Sequence, residues 1–479
     1  MARCNNILCS RCNVPIRGEG FGSVEEYRRI ADRVAERIAD GRLRPGDRLP
    51  TQRAFARRHR IANSTAIRVY GELARRGLVV GEVGRGTFVR AAPPLPGPAL
   101  AEATGDAPVD LQLNYPVAEG QSALMARALG SLARADVLGE ATGRPAAAVG
   151  TAEARAAAVR VLKRAGWEPD PERVLFAGNG RQAIAAAVSA LVGPGGRLGV
   201  EALTYPLVKA VAERIGVRLV PIALDEDGMR PDALAAAHRA APLSAVYVQP
   251  TLHNPLSVTA SPGRRAELTD VLRESGLTAI EDTTWAFLEP DAPAPLAAHA
   301  PERVVLVDSL SKRLAPGLTV GHLVAPEGRV EDLARALRSG AWTAGGLALA
   351  AATRWAEDGT VAEVVAAKRA DAAARHALVR RHLGAYRIRT APRAYYCWWE
   401  LPAPWRAETF VAAAARRGIA LTPGTAFAVG GGAVPGSSAV PGSGAAVDAV
   451  RVGLASPALP VLDDALGRLS VLASEILDV

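Results

Sequence analysis

Between residues 25 and 39 apolar side chains recur three and four apart, at Tyr27, Ile30, Ala31, Val34 and Ile38. That is the spacing of a helix with one buried face, and Gly41 ends it. Pro45-Gly46-Asp47 predicts a turn, and Leu49-Pro50-Thr51 the start of a second helix, with Thr51 as its cap and Phe55 turned inward. A third helix is expected from near Asn63-Ser64 through Ile67, Tyr70, Leu73 and Ala74 to Gly77. The period then changes. Residues 78–81 and 87–90 read as two short strands joined by Gly84-Arg85-Gly86. Three helices followed by a Gly-tipped hairpin describe a winged helix-turn-helix.

Residues 91–108 are mostly Ala, Pro and Gly, with few large apolar side chains, so they predict a partly stiff tether. Beyond Leu111 helical stretches alternate with β-rich runs at 174–177, 197–200, 218–220, 245–248, 277–280 and 304–307. Helical material between successive strands implies a mostly parallel sheet covered on both faces, with ligands bound beyond the carboxyl ends of the strands. The expected organisation is a disordered leader over 1–23, a winged helix over 24–90, a linker over 91–109 and an α/β body over 110–479. Within that body a smaller C-terminal α/β part begins near residue 365, its core marked by Trp398-Trp399, and 430–444 reads as a Gly/Pro/Ser-rich loop.

Charge sharpens this division. The net charge of the 479 residues is +9, and residues 24–90 hold sixteen Arg against eight Asp and Glu, nearly the whole excess. Such asymmetry points to a polyanion partner for the amino-terminal part. No apolar run reaches the roughly 18 residues of a membrane span, and the start lacks the apolar core of a secretory signal, so a cytoplasmic, membrane-free protein is expected. Cys4, Cys9 and Cys12 crowd the leader and Cys397 stands apart, with no fourth ligand to complete a zinc site, so no metal is expected.

The chemistry gathers where the strands end. After residue 177 comes Gly178-Asn179-Gly180-Arg181-Gln182, opening a helix whose free N–H groups favour phosphate. Glu201-Ala202-Leu203-Thr204-Tyr205 offers an aromatic face, Gln249 to Pro255 carries His253 and Asn254, and Glu281-Asp282-Thr283-Thr284-Trp285 follows the next strand. Last comes Asp308-Ser309-Leu310-Ser311-Lys312. The chain has only four Lys against fifty-three Arg, so keeping Lys at 312 speaks for a titratable primary amine, since a guanidinium cannot make an imine. His253 reads as structural.

The winged-helix pattern resembles the GntR family through Gly41-x-Leu43-x-Pro45-Gly46-Asp47-Arg48-Leu49-Pro50-Thr51-x-Arg53, Tyr70-x-x-Leu73-x-x-x-Gly77 and Gly84-x-Gly86-Thr87-Phe88-Val89. The resemblance implies that the third helix enters the major groove of double-stranded DNA, with Asn63, Ser64, Thr65 and Arg68 near bases or phosphates, Arg53 on the backbone or a base edge and Arg85 on the wing. Asn63 stands where the family usually has Arg, so the preferred operator does not carry over. The strand-end set resembles fold type I aminotransferases, and the whole chain is similar to MocR-type regulators. That implies pyridoxal 5'-phosphate as cofactor, with Lys312 as its Schiff-base lysine, Asp282 on the pyridine nitrogen, Asn254 on the phenolic oxygen and Tyr205 stacked on the ring. Gly180, Arg181, Ser309 and Ser311 would cradle the phosphate. Arg451, in Val450-Arg451-Val452-Gly453, would grip an effector carboxylate, and the site is expected at the interface of a homodimer.

Three positions depart from the aminotransferase pattern: Trp285 replaces a Tyr, Thr319 an Arg, and Leu138-Gly139-Glu140 lies where relatives have Gly-Tyr. They leave covalent cofactor binding intact and remove groups that tune turnover. The leading expectation is a transcriptional regulator that senses an amine, an amino acid or a B6 vitamer through an aldimine at Lys312. The alternatives are a working aminotransferase with an appended DNA-binding module, and a cofactor-free dimeric regulator.

Overall fold

A computed structural model describes residues 22–39, 42–44, 46–75, 78–82, 86–89, 108–317, 319–429 and 448–475. The leader cysteines, Arg85 and nearly all of the expected linker and the 430–444 loop lie outside them. The chain divides into two compact units, one within residues 1–93 and one within 94–479.

In the first unit α1 (Gly22–Ala39), α2 (Gln52–His59) and α3 (Asn63–Arg75) enclose a core of Ile30, Ala31, Val34, Leu49, Phe55, Val69, Tyr70 and Leu73. Thr51 caps α2 by accepting from the Ala54 amide at 3.2 Å, as its place before the helix predicted. The hairpin strands β2 (Val79–Glu82) and β3 (Gly86–Val89) are joined by a third strand that the sequence did not reveal, β1 (Arg48–Leu49), antiparallel to β3. Two residues are too few to show a period. On α3 the buried stripe is Ala66, Val69, Tyr70 and Leu73, so Ile67 and Ala74 of the apolar series face outward, and Ile67 is 50% exposed.

The second unit opens with the short strand β4 (Val109–Asp110) and is built on a seven-stranded sheet. Its strands are β5 (Val174–Ala177), β6 (Arg197–Glu201), β7 (Arg218–Ile222), β8 (Ala245–Val248), β9 (Ala279–Asp282), β10 (Val304–Ser309) and β11 (Gly321–Val324), in the order β5-β11-β10-β9-β8-β6-β7. Six run parallel; β11, unforeseen in the sequence, is antiparallel to both neighbours. Strands β8 to β10 are buried along their whole length, which is why the runs leading to their carboxyl ends are apolar before Glu281 and Asp308.

The C-terminal part forms a four-stranded antiparallel sheet of Arg387–Arg389, Tyr396–Glu400, Ala449–Gly453 and Thr422–Pro423, in that order, with Trp398 and Trp399 fully buried. A long helix, α4 (Thr360–Leu383), runs between the two sheets in sequence. Val109–Asp110 pairs with Ile419–Ala420, which ties the start of this unit to its end.

One glycine locks β11 to the phosphate-type loop. A Cβ at Gly321 would collide with the backbone carbonyl of Asn179 and stand 3.1 Å from the Gly180 nitrogen. Gly321→Ala is therefore expected to destabilise the large unit by about 1–3 kcal/mol, read as a lower thermal midpoint.

Candidate functional site

The helix that follows β5 (Gly180–Leu191) begins at Asn179, whose side chain accepts from the Gln182 amide at 2.9 Å. Its N-terminus abuts the end of β10, where the Gly180 amide donates to Ser309 Oγ at 3.1 Å. A side chain at 180 would drive into the Ser309 Cβ at 2.9 Å, so close approach requires glycine. Ser309, Ser311 and Thr319 form a triangle of hydroxyls, with separations of 2.8, 2.9 and 3.4 Å. A helix N-terminus and three hydroxyls therefore meet at one point, a donor set suited to a phosphate. Thr319, where the aminotransferase pattern has Arg, contributes a hydroxyl rather than a charge.

Buried Asp308 holds that point still. It accepts from Arg313 at 3.0 Å, Arg164 at 3.3 Å, the Thr283 hydroxyl at 3.0 Å and the Ser309 amide at 2.6 Å. These bonds fix the bend from β10 into the short helix Leu310–Arg313 that carries Lys312.

Beyond the strand ends lies a cavity of about 260 Å³. Gly180, Arg181, Tyr205, Asn254, Asp282, Trp285, Ser309, Ser311, Lys312 and Arg451 all line it. Every cofactor- and effector-site residue expected from the sequence is thus brought together, although those residues span more than 270 positions of chain. Among the described residues that line it, Asp282 is the carboxylate, against the cations Lys312, Arg181 and Arg451. The cavity has an excess of positive charge.

Asp282 accepts from Tyr247 at 2.6 Å, Gln249 at 3.0 Å and the Thr284 amide at 2.9 Å. These donors fix its orientation; neither Tyr247 nor Gln249 had been given a role from sequence. Lys312 Nζ donates to the Asn114 carbonyl at 2.7 Å and lies 4.3 Å from the centre of the Tyr115 ring and 5.5 Å from that of Trp285. Burial, then the charges of Arg181, Arg451 and Lys368, hold its amine down to about 7. Arg451 donates to the Gln112 carbonyl and to Thr422, and its Cζ lies 5.4 Å from the centre of the Phe427 ring. Its buried Nε has no partner among the described residues, and neither does Asn254 Oδ1. Each unmet buried group costs about 1–3 kcal/mol, and both line the cavity.

Residues 112–115 were missed entirely. This segment receives both cations through its carbonyls, and Arg181 donates to the Tyr115 hydroxyl at 3.4 Å. No local pattern marks it, because its role arises from contacts with residues about 200 and 340 positions away. Trp285 is packed edge-on to Tyr396, with ring centres 5.5 Å apart, so its indole forms a cavity wall. His253 is buried and accepts from the Leu256 amide at 3.3 Å.

In the winged helix Arg53, Asn63, Ser64 and Arg68 are exposed and Thr65 is half-buried. Ile67, on α3, is exposed as well.

Known proteins carry both parts. Residues 26–89 match the bacterial regulatory proteins of the gntR family, and residues 126–442 match aminotransferase class I and II. The chain belongs to the MocR-type regulators of the GntR superfamily. This MocR-type chain is 29% identical to the uncharacterized HTH-type transcriptional regulator YdeF of Bacillus subtilis over 84% of its own length and 87% of that protein's. It is 30% identical to the HTH-type transcriptional regulator TauR of Rhodobacter capsulatus over 67% and 71%. A kynurenine aminotransferase of Pyrococcus horikoshii shares the fold with a TM-score of 0.67 at 20% identity, over 78% of this chain and 93% of that one. Among the described residues of this MocR-type protein no helix is long and apolar enough to cross a membrane, and no cluster of metal-ligating side chains occurs.

Because the neutral amine is the nucleophile, acylation of Lys312 in the cofactor-free protein is expected to rise with pH and reach half its maximal rate near pH 7, far below the ordinary lysine value of 10.5. Peptide mass spectrometry after brief pulses of acetic anhydride at a series of pH values reads this out.

Proposed function

We propose that this protein is a pyridoxal phosphate-dependent transcriptional regulator that senses a small carboxylate-bearing amine. The convergence of a helix N-terminus, three hydroxyls, a buried lysine and an oriented aspartate in one cavity with excess positive charge carries this reading. When bound, the cofactor supplies an aldehyde on an electron-withdrawing ring, and that aldehyde condenses with primary amines.

The residues present fit such a group. Gly180, Ser309, Ser311 and Thr319 bind its phosphate, and Arg181 supplies the cation that Thr319 lacks. Asp282 takes the ring N–H and keeps it protonated, Asn254 meets the phenolic oxygen with its unused side chain, and Tyr205 lies against the ring. Lys312 is the covalent anchor, and its amine, already held near neutrality, gives up its proton readily. Arg451 receives the carboxylate of the effector with a bidentate fork.

Sensing follows from what the two cations leave behind. Holding the cofactor would engage Lys312; an amine effector that takes the lysine's place frees Lys312 to return to the Asn114 carbonyl, while the effector carboxylate draws Arg451 from the Gln112 carbonyl. The segment 112–115, a few residues after the expected linker, is then held differently, and DNA affinity shifts by the difference in effector affinity between the two arrangements. On the DNA side Arg53, Asn63, Ser64, Thr65 and Arg68 form the contact surface, with Arg85 on the wing. The regulator works as a homodimer on repeated half-sites. Trp285 and Thr319 disfavour rapid turnover, so transamination is slow or absent.

Titration with pyridoxal phosphate should produce a visible absorption band, and borohydride should fix the cofactor to the Lys312 peptide. A protein that stays colourless in excess cofactor defeats the reading. Arg181→Ala is expected to weaken cofactor binding at least tenfold, about 1.4 kcal/mol or more, in the same titration. Arg68→Ala should lower DNA affinity by about tenfold and reduce the slope of log affinity against log salt by about 1, measured by fluorescence anisotropy on genomic fragments. Steady transamination with a panel of amino and keto acids would instead favour an enzyme.

A further inference from the structure

The chain keeps a second lysine beside the first. Lys368, in the first half of α4, is fully buried, and its ammonium donates to the backbone carbonyls of Lys312, at 2.8 Å, and Leu314. These are carbonyls at the end of the short helix that carries Lys312, groups that no intrahelical amide can satisfy. A cation is favoured at such a terminus. Yet a buried ammonium is costly unless a carboxylate faces it, and none lies within ion-pair distance of Lys368 among the described residues. The nearest candidate on its own helix, Asp371, is taken by Arg375 at 2.7 Å and by the Tyr395 hydroxyl at 2.8 Å. From the Lys312 helix Arg313 adds a further positive charge, itself bound to Asp308. A neutral amide donor could have served as a helix cap at lower cost.

We propose that Lys368 is the positioning residue for the Lys312 amine, gripping the backbone from which that side chain projects and setting behind it a second buried amine that has no ion-paired carboxylate among the described residues. The inference rests on Lys312 being the cofactor amine, and it explains how one lysine is presented neutral and aimed into the cavity. The groups that face the Lys312 amine are Arg181 and Arg451 as cations, Asp282 as the anion, and the rings of Tyr115 and Trp285. Lys368, on α4, adds its charge to those of Arg181 and Arg451. Its own amine is likewise held down to about 7, by burial against the pull of Asp371 and with the push of Arg313, and its charge in turn lowers the Lys312 amine.

The test needs no cofactor. The pH profile of Lys312 acetylation is measured in wild type, Lys368→Met, Lys368→Gln and Lys368→Arg. Removing the charge should make the Lys312 amine easier to protonate, so the midpoint moves upward by about half a pH unit or more in Lys368→Met and Lys368→Gln, while Lys368→Arg stays within about 0.2 of wild type. A lysine acting only as a helix cap would lower the thermal midpoint and leave the profile where it was. Unchanged midpoints in the charge-free variants therefore overturn the proposal. If Lys368→Met does not fold, Lys368→Gln, which keeps a donor, decides alone. A shifted profile in a protein that never binds pyridoxal phosphate would uphold the positioning of Lys312 and reject the cofactor reading, so the two failures are separable.

Discussion

The large unit is organised around positive charge kept away from water. Lys312, Arg181 and Arg451 line a cavity whose carboxylate, Asp282, is already engaged by three donors, and Lys368 lies buried just behind. Isolated ions in such a place are costly, and the fold offsets the cost with backbone carbonyls rather than counter-ions. Gln112 and Asn114 serve Arg451 and Lys312, while Lys312 and Leu314 serve Lys368. Carbonyls are weaker partners than carboxylates. The arrangement is stable enough to persist and loose enough to yield to an anion.

That balance connects chemistry to regulation. Residues 112–115 make bonds in two directions: their carbonyls receive the cavity cations, while Asn114 and Tyr115 also bind Ala455 and Ser456 after the C-terminal sheet. Gly453 has no room for a side chain because the Leu111 and Leu113 carbonyls would lie 2.8 and 2.9 Å from its Cβ. A short stretch of backbone is thus bonded to both ends of the site at once.

The same contrast between buried and free charge separates the two units. In the large unit charge is enclosed and oriented, whereas in the winged helix Arg53 and Arg68 stand in solvent. Phosphates of a duplex release counter-ions when they meet such side chains, so the affinity is set by salt as much as by sequence. Ile67 and Asn63 are exposed on α3.

Much of this was readable in one dimension. Periodicity carried α1, α2 and α3, and apolar runs carried β8, β9 and β10, because burial on one face or on both leaves its own period in the chain. The residues at the strand ends, Gly180, Asp282, Ser309 and Lys312, were legible because parallel sheets deliver their loops to a common edge. β1 and β11 were not: two or four residues carry no period, and both exist only because a neighbouring strand offers its edge. Nor were the partners of Asp282, the hydroxyl contributed by Thr319, the hold of residues 112–115 on Lys312 and Arg451, or Lys368 beneath Lys312. The chain by itself determined which groups are available and where each strand delivers them; only the tertiary structure decided which of them share a low-dielectric space, where a few ångströms set the charge of an amine.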